Sequence, residues 1–332
     1  MDKKDGREPV LFFCHAEEVE PMGPWDVGQL LLVPTVVGLV GTLVAMWWIG
    51  DRRWDRWRGW AVAVIIAGAY ALAHAQISRF PPFPAMTADE WVVYAAILGA
   101  GWAGIEAWAA ESNQFRWILV AVGRLVVMSL VAWLLIGNRF GWVVLLGLSG
   151  GLTVVARVLV TAARQAFGRS LMMGWVMVAA ALGPVFLMGA SAKLAILAWS
   201  LMAICGGVMV VLSMSRHGKG IDLGMVQPML VIILGGLATS GTAYANVSVE
   251  ALLLAAGGLC MVAFVGALST QRLMQLWWWK AAMVFLYALV AGATVGVAQY
   301  AEEGDKELRE LQESEEDDDE DSSSERYAPY RH

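Results

Sequence analysis

The chain has 332 residues, of which 58% are hydrophobic and 16% charged, against about 25% charged in an ordinary soluble domain. That balance excludes an ordinary water-soluble domain and a basic nucleic-acid binder, and makes lipid the expected solvent for most of the chain. The net charge of −6 is unevenly divided: residues 302–332 hold 14 Asp and Glu against 4 Lys and Arg, net −10, leaving the rest at +4.

Residues 1–26 read as a short N-terminal tail, since MDKKDGREPVLFFCHAEEVEP contains no apolar run long enough for a signal-peptide core. Met22, just before the first apolar run, is a candidate start. Residues 27–300 form the expected membrane domain. Ten apolar runs of about twenty residues follow one another there, and at ~1.5 Å of rise per residue each matches a hydrocarbon core of ~30 Å. The expected fold is all-α: a polytopic transmembrane helical bundle of about ten spans.

The first span, 27–49, contains Pro34, which leaves a carbonyl without its helical donor. The segment Asp51 to Gly59, DRRWDRWRG, follows as a basic loop. Its arginines and tryptophans suit anionic headgroups and the interface better than a nucleic acid, and no nucleic-acid partner is expected. Span two, 60–77, ends near His74. The prolines at 81, 82 and 84 then forbid helix and predict a rigid turn. Spans three to five, 91–110, 117–137 and 142–161, each open on a tryptophan, an interface marker. The remaining spans are 171–190, 194–214, 228–247, 251–270 and 279–299.

Orientation follows from alternate loops. Eleven Lys and Arg fall in odd-numbered loops, including Arg52, Arg53, Arg116 and Lys219, against Arg79, Arg139 and Lys193 in the others. Basic residues are retained on the cytoplasmic side, so both termini are expected outside the cytoplasm, in a plasma or inner membrane. Residues 301–332 read as a disordered acidic tail, because unbroken like charge cannot bury a core.

Ionisable side chains inside spans are costly and are therefore the first functional candidates. Glu106 and Arg124 lie at similar depth on consecutive spans and are plausible partners, either as a gating pair or as a register-fixing one. His74 is the titratable candidate, read as an interfacial residue with no second ligand at i+3 or i+4. Thr239, Ser240, Thr242, Tyr244 and Asn246 make span eight the most polar interior stretch. Gly38 with Gly41, and Gly147 with Gly151, offer small faces for close helix crossing.

The cysteines Cys14, Cys205 and Cys260 have no metal-ligand spacing, no phosphate-loop or hydrolase pattern occurs in a workable context, and neither cofactor nor metal is expected. Catalysis is not expected. Two functional readings follow: a transporter of a small neutral solute or ion, or a non-catalytic scaffold or subunit of a membrane complex. The bilayer, and in the second case other membrane proteins, are the expected partners.

Overall fold

A computed structural model of the chain describes residues 24–48, 55–109, 116–136, 142–163, 168–189, 191–214, 221–245, 247–268, 282 and 285–304. These residues are all-helical apart from turns, with no strand among them. In chain order the helices are α1 (Pro24–Trp48), α2 (Asp55–Ser78), α3 (Ala88–Ala109), α4 (Arg116–Ile136), α5 (Trp142–Ala162), α6 (Gly168–Met188), α7 (Ala192–Met214), α8 (Gln227–Tyr244) and α9 (Val249–Leu268). Leu223–Met225 form a 3₁₀ turn leading into α8, and the chain is helical again over 285–304.

Six stretches are long and apolar enough to cross a membrane: Gly28–Trp47, Trp57–Ser78, Ala88–Ala109, Leu171–Met188, Ala192–Met214 and Leu223–Thr242. The apolar parts of the described residues in α4, α5 and α9, Val122–Trp133, Gly147–Thr161 and Val249–Cys260, are shorter. Leu32, Val126, Val154 and Leu253 present apolar side chains outward, each more than half exposed. Helices apolar on inner and outer faces alike fit a bilayer, since a water-facing helix would carry a polar stripe.

Around this bundle, α3 lies between α2 and α8, α1 packs on α2 and α7, α6 on α7, and α5 on α4, α8 and α9. Glycines set the crossing of α1 with α7. A methyl placed on Gly207 would stand 3.0 Å from the Thr35 carbonyl oxygen, and one on Gly38 3.2 Å from that of Ile204, so α1 and α7 meet backbone to backbone. Gly207→Val is therefore expected to cost about 1–3 kcal/mol by overpacking. Gly206→Ala, with no described atom within 4 Å, is expected to be neutral or stabilising by up to about 1 kcal/mol. Thermal unfolding of the detergent-solubilised protein measures both. Gly41 packs on Ile65, but Gly147 and Gly151 have no described atom within 4 Å; that pair makes no close crossing with the described helices.

The basic segment departs from the loop reading. Nothing between Asp55 and Arg58 breaks a helix, so α2 starts at Asp55, and Arg58 is buried at 3% exposure; residues 51–54 lie outside the described residues. The proline turn behaves as its residues dictate: residues 79–87 are non-helical. Tyr94 Oη donates to the carbonyls of Pro81 at 2.8 Å and Pro82 at 3.1 Å. The Phe83, Trp91 and Tyr94 rings meet edge to face, with centroids 5.6 to 6.5 Å apart. Beyond the turn, Glu90 Oε2 accepts from the backbone N–H groups of Met86 and Thr87 at 2.7 and 3.1 Å, which closes the Thr87-to-Glu90 capping box that starts α3. Ser248 caps α9, its Oγ accepting from Ala251 N–H at 3.1 Å.

Candidate functional site

Glu106, in the last turn of α3, and Arg124, two turns into α4, meet. Arg124 Nε and Nη2 donate to Glu106 Oε1 at 2.9 and 2.7 Å, and Nη2 to Oε2 at 2.6 Å. Trp102 Nε1 adds a third donor to Oε1 at 2.7 Å. The side chains are 1% and 4% exposed, so each charge depends on the other for solvation. The Trp102 indole lies against Gly123, where any side chain would collide with it. The buried, bidentate pair ties the end of α3 to α4.

A second polar cluster forms where α2, α3 and α7 end beside the proline turn. His74 has no exposed side-chain surface, and its Nε2 lies 3.2 Å from Asp89 Oδ2. Lys193 Nζ, on the second residue of α7, reaches the same oxygen at 2.5 Å, and the Thr87 hydroxyl also donates to Asp89. Tyr70 sits one turn deeper on α2, within electrostatic reach of Asp89. His74 Nδ1 and Tyr70 Oη are buried without a hydrogen-bond partner among the described residues.

Sequence reasoning missed Asp89 and Lys193. Both stand at span edges and were assigned to loops; the signal available was that they flank the spans next to His74 on one side of the bundle. The i+3 and i+4 positions from His74 belong to α2 itself, whereas the partner comes from the next helix, across the proline turn.

The hydroxyls of α8 are largely turned onto their own helix. Thr239 Oγ1 donates to Gly235 O at 2.7 Å and Thr242 Oγ1 to Thr239 O at 3.1 Å. Ser240 is buried, its Oγ without a partner among the described residues. The Tyr244 side chain and Asn246 lie outside the described residues.

Part of α8 also borders an apolar space. An apolar cleft of about 100 Å³ lies between α5, α6, α8 and α9, lined by residues such as Leu152, Trp175, Val231, Ala238 and Leu259. Its lining residues are Leu, Val, Ala, Gly and one Trp. The indole N–H of that Trp175 is bonded to Gln227 Oε1 at 2.6 Å, and Gln227 Nε2 donates to Leu223 O at 3.1 Å. An apolar lining is the usual make-up of a small-molecule site, and at about 100 Å³ the cleft is smaller than the roughly 300–1,000 Å³ that enclose a drug-sized ligand. Among the described residues no group of three or more His, Cys, Asp or Glu is placed to hold a metal ion.

No protein-family model, curated protein or solved structure matches the chain.

Proposed function

We propose that the chain is a ten-span protein of a plasma or inner membrane that carries a small neutral solute with an apolar body, taken up in the cleft between α5, α6, α8 and α9. The observation that supports this reading is the cleft itself: it has room for a small apolar group, and no charged or hydrogen-bonding side chain in its lining is left open to one. An ion would meet nothing there to replace its water, which favours a neutral cargo over a charged one. The two buried charge clusters stand apart from the cleft, on α2, α3, α4 and α7. In this reading both termini face away from the cytoplasm, opposite the arginine-rich side.

Photolabelling of the full-length protein in proteoliposomes with a neutral aryl diazirine tests it. Label is expected on α8 and α9 peptides around Val231, Ala238 and Ala255, and Ala238→Phe, which fills the cleft, is expected to lower it about tenfold, or ~1.4 kcal/mol of occupancy. Labelling spread evenly over the outer helix faces and unchanged by Ala238→Phe overturns the carrier reading. A stoichiometric partner copurifying in mild detergent, with the cleft unlabelled, would favour a scaffold instead.

A further inference from the structure

The cluster beside the proline turn is separate from the cleft, and its geometry is asymmetric in a telling way. One carboxylate oxygen, Asp89 Oδ2, is shared by two donors, Lys193 Nζ at 2.5 Å and His74 Nε2 at 3.2 Å. With a neutral imidazole, one cation faces one anion. A proton on the orphaned Nδ1 makes both ring nitrogens donors and puts a second positive charge on the same oxygen.

We propose that Tyr70, His74, Asp89 and Lys193 form a proton-binding site, filled through His74 Nδ1, and that its filling releases Lys193 from Asp89. The choice of which cation yields follows from exposure. His74 is wholly buried on α2 and has nowhere else to go, whereas the Lys193 side chain is 36% exposed and its flexible stem reaches water. Tyr70 Oη, one turn away on the same face of α2, is the available acceptor for the new Nδ1–H. Of the elements packed against α2, α1 carries one titratable residue, Asp26 in its first turn, whose side chain lies outside the described ones, and Asp222, just before the 3₁₀ turn, meets the far end at Gly59. On α3, Glu90 is held by the backbone of Met86 and Thr87, and Arg79 at the end of α2 is exposed.

Histidine is the side chain suited to such a change near neutrality. Spin labels on Met86→Cys and Ala192→Cys, both exposed positions, in a full-length background with the native cysteines replaced by alanine, read the separation of α3 from α7. At about pH 5.5 the distance is expected to be longer than at about pH 7.5. His74→Gln, which keeps a hydrogen bond but takes no proton, is expected to stay short at both, and Lys193→Gln to be long at both. Equal distances at the two pH values in the background protein, or a pH response that survives His74→Gln, overturns the proposal. Should His74→Gln fail to fold, a short distance in Lys193→Gln at the higher pH overturns it equally.

Discussion

Replacing Arg124 with leucine is expected to cost the folded protein about 3–5 kcal/mol, because it leaves the Glu106 carboxylate buried without its counter-ion. Trp102 then supplies the one remaining donor among those seen here, too little to solvate a charge 1% exposed. Replacing both residues with leucine is expected to fall close to the original stability, since the desolvation cost of both ions disappears together. The charge-swapped double variant Glu106→Arg with Arg124→Glu should recover only part of the loss: the indole N–H of Trp102 would point at a guanidinium, two donors facing each other. Thermal unfolding and monodispersity in detergent measure all three. If the leucine single variant melts with the parent protein, the pair does not hold α3 to α4.

A smaller change has the second large effect. Gly59→Ala is expected to destabilise by about 1–3 kcal/mol, the usual range for overpacking, because a methyl there collides with the Asp222 backbone carbonyl. That carbonyl is not free to retreat. It accepts from Met225 N–H at 3.3 Å, while the Asp222 side chain accepts from Gly224 N–H at 3.0 Å, so the 3₁₀ turn and the start of α8 move with it. Gly68→Ala on the same helix meets no described atom within 4 Å and serves as the control, expected to be neutral or slightly stabilising. The two variants melting together would show that the α2 contact with this turn contributes nothing.

The helices were legible from twenty-residue apolar runs because lipid demands length and hydrophobicity of each span separately, with no reference to its neighbours. Glu106 and Arg124 were legible for a related reason: few charges lie inside the runs, and depth along consecutive antiparallel helices can be counted. Asp89 and Lys193 were not, since residues at the edge of a run look like loop residues until the turn geometry brings them inward. The cleft was hidden altogether. Its leucines, valines and alanines have the same composition as a lipid-facing surface, and only packing separates a side chain that faces a void from one that faces acyl chains. Arg58 shows the converse, a cation whose sequence setting reads as interfacial and whose helix carries it indoors.

The Tyr94 hydroxyl seated on two proline carbonyls, with rings stacked around it, makes a brace with no ionic component. Such a brace is indifferent to salt and to acidity alike, so the angle between α2 and α3 stays set while ionic strength or pH varies. Whatever loosens at that end of the molecule must then be the leaf hung on Lys193, with the proline corner as its fixed jamb.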